Sequence, residues 1–301
     1  RYIGVTGVQT CALPISIGSP PIAALGPEWM KRKVLPEVLA GEKISALAIT
    51  EPSGGSDVAN LKTTARREGD HYVVNGSKMF ITSGMRADYY TVAVRTGGPG
   101  AGGVSLLLIE RDREGFQRTK LKKMGWWASD TAQLFFDNVK VPVENLIGEE
   151  NRGFIGIMLN FNSERLGMSA GACGFAKVCL DEAIAYARER HTFGKPLIAN
   201  QVVRHRLVDM AMRINAVKST LELLAWRVGQ GEKPVAEICM LKNLATSTME
   251  FCANEAMQVF GGAGYLRGSK VERIYRETKV MSIGGGSVEI MKDLAARQMG
   301  F

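Results

Sequence analysis

The stretch VRHRLVDMAMRINAVKSTLELL, Val203 to Leu224, places its apolar side chains at alternating intervals of four and three. Val203, Leu207, Met210, Ile214, Val217, Leu221 and Leu224 fall on one side of an α-helix at ~100° per residue, forming an a/d seam. One helix cannot bury such a seam alone, so helical partners must flank it. A second helix is predicted from Pro234 to Gly261, with Ile238, Leu241, Ala245, Met249, Cys252, Ala256 and Val259 on its apolar face. A helix after Asn151 and a last one after Gly286 complete a four-helix bundle.

Upstream of Asn151 the period changes. HYVVNGSKMFIT, His71 to Thr82, holds two short β-type runs around Asn75-Gly76 and predicts a hairpin there. YYTVAVR, GVSLLLIE and AQLFFDNVKVP continue the strand-like pattern, with the loop TGGPGAGG between two of them. Before this all-β stretch, GPEWMKRKVLPEVLAGEK predicts a helix opening at Pro27, broken or kinked at Pro36 and ended by Gly41. VTGVQTCALPI, Val5 to Ile15, looks like the translation of a sequencing adapter, so residues 1–16 are expected to be non-native.

Composition narrows the function. The 301 residues carry a formal charge of +8, with Lys and Arg scattered and no aromatic interleaving. Nucleic-acid binding is disfavoured, and attraction for phosphorylated small molecules explains the charge equally well. The five cysteines make no CxxC pair and the three histidines show no ligand spacing, so no metal is expected. No apolar run reaches the ~18 residues that cross a bilayer.

GIMLNFNSERLGMSAG, Gly156 to Gly171, contains the residue that needs explaining. Glu164 shares one side of a helix with Phe154, Ile157, Phe161, Met168, Ala172 and Phe175. A carboxylate amid apolar neighbours is costly. Two readings stay open from this stretch: a buried ion pair with Arg165 or a distant partner, and a general base with a raised pKa.

ALAITEPSGGSDVANLKTTA, NGSKMFITSG, RHTFGKPL and QVFGGAGY, in this order and with the bundle, resemble the acyl-CoA dehydrogenase family over residues 18–301. The resemblance implies an α+β multidomain fold. Residues 17–45 would be a remnant of the N-terminal helical domain, 46–145 the middle β-barrel domain and 146–301 the C-terminal four-helix bundle domain. It further implies FAD as cofactor and assembly as a homotetramer, a dimer of dimers, with no nucleic acid and no membrane. A cytoplasmic, bacterial-type location is expected, with the mitochondrial matrix as the alternative.

Residue by residue, Leu47, Ile49, Thr50 and Ser56 match the first flavin segment, and Ser56 also approaches the thioester. Phe80, Ile81 and Thr82 match the second, with Phe80 replacing the usual Trp. Arg190 matches an arginine that pairs with the FAD pyrophosphate of an adjacent subunit, a role suited to a guanidinium fork. Gln201, Gln258, Gly261 and Gly262 match adenosine-side contacts, and Ser287 and Glu289 match flavin-side contacts of the last loop. Trp127 stands where many members carry Arg.

Many members place their catalytic Glu in that last loop. The matching position here is Gly285, in SIGGGSVEI. The isovaleryl-CoA and long-chain dehydrogenases carry the base on the bundle helix instead, and NSER puts Glu164 at that position. The resemblance thus implies that Glu164 removes the α-proton of an acyl-CoA while the β-hydrogen passes to flavin N5, with electrons going on to electron-transfer flavoprotein. Arg165, Gly285 and Gly286 would touch the substrate, Gly285 through its N–H to the thioester carbonyl. The bare glycines are expected to leave room for a branched acyl group. Glu289 is the second base candidate. Alternatives are an acyl-CoA oxidase or flavin monooxygenase on the same fold, or a DNA-binding or non-catalytic member.

Overall fold

The computed structural model describes residues 17–301, so the adapter-like segment and Cys11 lie outside the described residues. The described residues divide into two compact units, the first ending at Phe161 and the second beginning at Asn162.

The first unit opens with helices α1 (Pro20–Leu25) and α2 (Glu28–Leu39). Eight strands follow: β1 (Ser45–Ala48), β2 (Thr64–Glu68), β3 (His71–Thr82), β4 (Tyr89–Arg95), β5 (Val104–Glu110), β6 (Phe116–Lys120), β7 (Thr131–Pro142) and β8 (Leu146–Ile147). They form one sheet in the order β6-β7-β3-β2-β4-β5-β8, with β1 added parallel to β4. The run VSLLLIE of β5 is apolar apart from Ser105 and the terminal Glu110 because both of its faces are covered. Leu107 and Ile109 pack with Val74, Tyr90, Leu134 and Val139. Val104, Leu106 and Leu108 pack on the other face with Ile22 of α1 and Met30, Val34 and Val38 of α2.

Two local expectations are corrected. Asn75-Gly76 is no hairpin: β3 runs straight through it, with a register shift between Val74 and Gly76. Gly76 sits at φ +143°, and a Cβ there would lie 2.7 Å from Thr63 Cα, so the glycine serves a close approach rather than a turn. Asn75 is turned to Asn138 on β7, accepting from its N–H at 2.9 Å. The hairpin instead turns at Gly69-Asp70, joining β2 to β3. Nor does Pro36 break α2, which continues through it to Leu39, shortly before Gly41. The bond that Pro36 cannot donate would go to the Arg32 carbonyl; both residues are exposed, so water can satisfy it.

The second unit is helical. It takes α3 (Gly153–Glu189) from Asn162 onward, then α4 (Gln201–Gly229), α5 (Val235–Phe260), α6 (Lys270–Ile283) and α7 (Val288–Met299). On α4 the seam is buried at Val203, Leu207, Met210, Ile214, Val217 and Leu224, with Leu221 half-buried. Helix α6 lies where no helix was read from the sequence, although SKVE carries a capping box: Ser269 Oγ accepts from Glu272 N at 3.1 Å. Cys173, Cys179, Cys239 and Cys252 are buried free thiols on α3 and α5. Among the described residues no helix is long and apolar enough to cross a membrane, and no cluster of His, Cys, Asp or Glu could hold a metal.

Candidate active site

In the first unit the two segments matched to flavin contacts lie side by side. Met79 N donates to Thr50 O at 2.8 Å. Ile49 and Ile81 are buried, Leu47, Thr50 and Thr82 half-buried, and Ser56 exposed. Phe80 stands apart. It has φ +61°, an uncommon conformation for an aromatic residue, at a register shift between Lys78 and Ile81, and its side chain is 66% exposed. A strained backbone that holds an aromatic face toward solvent fits a ring system laid against it. Trp127 is exposed too, its Nε1 donating to Lys123 O at 3.0 Å.

Beneath these segments lies a buried ion pair, Lys78 (0% exposed) with Glu51 (4% exposed). Lys78 Nζ donates to Glu51 Oε1 at 2.9 Å and to Ile49 O at 3.0 Å. Glu51 also accepts from the backbone N–H groups of Lys62 (2.6 Å) and Thr63 (2.8 Å). Burial alone would raise the Glu51 carboxyl, but the Lys78 charge and the bonds from Thr63 and Lys62 hold it down at about 2. The Lys78 ammonium is pushed down to about 8 by burial, against the pull of Glu51.

In the second unit Glu164 and Arg165 occupy one turn of α3, Glu164 half-buried and Arg165 only 4% exposed. Arg165 Nε donates to Gly285 O at 3.0 Å and Nη1 to Asn162 Oδ1 at 3.2 Å. The helix turn bearing Glu164 is thereby tied to the glycine loop between α6 and α7. Burial lowers the Arg165 pKa, opposed by Cys239 and Glu164. Among the described residues the Gly285 N–H donates to no acceptor.

Ser287 caps α7, accepting from Ile290 N at 3.4 Å. Glu289 is exposed in the first turn of α7, and its carboxyl is lowered by its own backbone N–H and by Ser287. That is the behaviour of a helix-start carboxylate, in line with the helix dipole.

Arg190, Gln201, Gln258, Gly261 and Gly262 gather elsewhere in the same unit. Tyr186 of α3 stacks on Phe260 of α5 with ring centroids 4.3 Å apart, bringing together the helix ends that carry Arg190 and Gln258–Gly262. Leu197 N donates to Arg190 O at 2.7 Å, and the short 3-10 turn of Leu197–Ala199 leads directly into Gln201. Gly261 and Gly262 have open space where a Cβ would be, as a close-approaching ligand requires. Gln258 lies ~24 Å along α5 from Lys242, which contacts the glycine loop, so these residues form a separate cluster.

Comparison with known proteins gives the family. The domain description "Acyl-CoA dehydrogenase, C-terminal domain" matches residues 151–300, and "Acyl-CoA dehydrogenase, middle domain" matches residues 46–139. The chain is 36% identical to cyclohexane-1-carbonyl-CoA dehydrogenase of Geobacter metallireducens, over 94% of this chain and 75% of that protein. It is 36% identical to mitochondrial isobutyryl-CoA dehydrogenase of Bos taurus, over 92% of this chain and 67% of that one. The solved structure of butyryl-CoA dehydrogenase from Megasphaera elsdenii superposes with a TM-score of 0.94 at 34% identity, covering 98% of this chain and 78% of that chain. The chain belongs to the acyl-CoA dehydrogenase family. It is an oxidoreductase with the middle sheet domain and the C-terminal helical domain of that family.

Within this member of the family the glycine loop is closely bordered. A Cβ built on Gly285 would lie 2.8 Å from Met168 Sδ, so the Met168 side chain borders the loop at that point. Gly285 also sits at φ +67°. Gly285→Ala is therefore expected to cost about 1–2 kcal/mol from the left-handed backbone alone, read from urea midpoints. The double variant Met168→Ala/Gly285→Ala would recover only the steric part.

Glu51, Lys78 and Lys242 were not singled out from the sequence. The signal was a charged residue within a strand or helix pattern, as Lys78 is in SKMFI and Lys242 in CMLKNLA. The same signal did draw attention to Glu164.

Proposed function

We propose that this chain oxidises the Cα–Cβ bond of an acyl-CoA thioester to the trans-2-enoyl-CoA, Glu164 taking the α-proton and bound FAD accepting the β-hydrogen as hydride. The reading rests on one observation: Arg165 ties the helix turn bearing Glu164 to the loop bearing the Gly285 N–H. The α-C–H of a thioester is a weak acid, so its removal needs both a base and a donor for the negative charge that develops on the carbonyl oxygen. Glu164 is assigned as the base and the Gly285 N–H as the donor. A backbone donor needs no side chain, which is why the loop can be glycine and still serve.

Leu47, Ile49, Thr50, Ser56, Phe80, Ile81 and Thr82 are assigned to the flavin, the exposed Phe80 face supporting this. Arg190, Gln201, Gln258, Gly261 and Gly262 are assigned to the pyrophosphate and adenosine of the cofactor of an adjacent copy. Exposed apolar residues of α4, among them Val208, Met212, Leu223 and Trp226, support the assembly of copies that this requires. Ser56, Arg165 and Gly286 are assigned to the substrate, and Ser287 and Glu289 to the flavin side of the loop. The substrate class extended to this chain is a short branched acyl-CoA, on the names of the isobutyryl-CoA and cyclohexane-1-carbonyl-CoA relatives. Electron-transfer flavoprotein is the proposed acceptor.

The test is anaerobic addition of isobutyryl-, butyryl- and octanoyl-CoA to the FAD-loaded protein. Bleaching of the visible flavin band, fastest with isobutyryl-CoA, is the expected result. No bleaching by any acyl-CoA overturns the activity, and preference for octanoyl-CoA overturns the substrate class. Rapid oxygen uptake without electron-transfer flavoprotein would replace the dehydrogenase reading with an oxidase.

A further inference from the structure

We propose that Lys242 is a positioning residue that fixes the Gly285 N–H as donor to a thioester carbonyl. The proposal rests on the dehydrogenation proposed above and adds a residue that neither sequence motif nor family resemblance had assigned.

Lys242 lies on α5 and is 0% exposed. Its Nζ donates to Ser282 O at 3.0 Å and to Gly286 O at 2.7 Å. Those two carbonyls bracket Gly284 and Gly285. Arg165 holds the Gly285 carbonyl between them, and the next residue on α5 extends the grip, Asn243 Nδ2 donating to Val288 O at 3.0 Å. Three successive glycines restrain their own backbone less than any other residues would. Here two buried cations supply that restraint from outside the loop. The Gly284–Gly285 peptide, whose N–H donates to no acceptor among the described residues, is thus suspended between fixed points.

The choice of a lysine is itself informative. An apolar side chain would fill the same core without the desolvation that a buried ammonium suffers. Among the described residues Lys242 makes no salt bridge, so what it gains are the carbonyls of this loop. Burial pushes its ammonium down to about 8, helped by Arg165 and opposed by Cys239 and Glu289. Only a short run of chain is held this way, and it is the run that carries the donor.

The test separates a positioned donor from general support of the fold. By calorimetry, the FAD-loaded wild type is titrated with 3-thiapentanoyl-CoA, which keeps the carbonyl and cannot be dehydrogenated, and with the thioether CoA of equal length that lacks the carbonyl. The wild type is expected to bind the carbonyl ligand about tenfold more tightly. In Lys242→Met that preference is expected to fall to about twofold or less, with thioether affinity unchanged. Lys242→Gln, which keeps a neutral polar group in the core, is expected to lose most of the preference as well. An unchanged preference in both variants overturns the proposal, as does an equal loss of affinity for both ligands, the mark of a merely structural role. If the wild type shows no preference, the Gly285 donor itself falls, and the proposed function loses its charge-stabilising group. If the wild type shows the preference and both variants keep it, that function stands without Lys242.

Discussion

Lys78→Met is expected to destabilise the first unit by about 3–5 kcal/mol, because it strands the Glu51 carboxylate in a buried site. The partners share a contact at 2.9 Å, and Lys78 also holds the Ile49 carbonyl. Their titrations act on stability in opposite senses. Glu51, lowered from 4.5 to about 2, favours the folded state above pH 4.5, and that contribution is lost as pH falls through about 2. Lys78, lowered from 10.5 to about 8, disfavours the folded state below pH 8, and that cost lifts as pH rises from 8 toward 10.5. At neutral pH the two contributions largely offset each other, so the pair as a whole is near neutral while breaking it is not. The double variant Glu51→Leu/Lys78→Met is expected to recover most of the loss. Urea unfolding at pH 7 measures both. A single-variant loss below about 1 kcal/mol would show that Glu51 finds other solvation.

Glu164→Gln is expected to slow substrate oxidation by about 10³-fold while leaving acyl-CoA affinity within a few-fold. Gln keeps the shape and the hydrogen-bonding reach of Glu but cannot hold the abstracted proton. The comparison variant is Glu289→Gln. Its carboxyl is exposed at the start of α7 and held by its own N–H and Ser287, so with FAD saturating the change is expected to lower the rate by no more than a few-fold, far less than Glu164→Gln. A slow Glu289 variant beside a fast Glu164 variant would reverse the assignment.

The elements with a clean period were legible in the sequence. The seam from Val203 to Leu224 and the helix from Pro234 to Gly261 lie where their spacing puts them, because each buries a single face. Asn75-Gly76 misled because its usual turn chemistry is overridden by pairing with β7 and by the approach of Thr63, neither of which is local in sequence. Helix α6 is hard to read from the sequence because it is short and charged residues interrupt its apolar positions. Glu164 could be found because one charge interrupts an apolar face and its matching loop carries none. Lys78 and Lys242 share that signal of a charge inside an apolar pattern, but what gives them and Glu51 their roles is the set of distant carbonyls and carboxylates they meet, and Met168 over Gly285 is likewise a tertiary fact.

The most direct test of the central claim isolates proton removal from hydride transfer. The FAD-loaded protein is held in D2O with 3-thiapentanoyl-CoA, and α-deuterium incorporation is followed by NMR in wild type, Glu164→Gln and Glu289→Gln. The prediction is exchange in wild type and in Glu289→Gln and none above background in Glu164→Gln. Exchange that persists in Glu164→Gln would contradict Glu164 as the base.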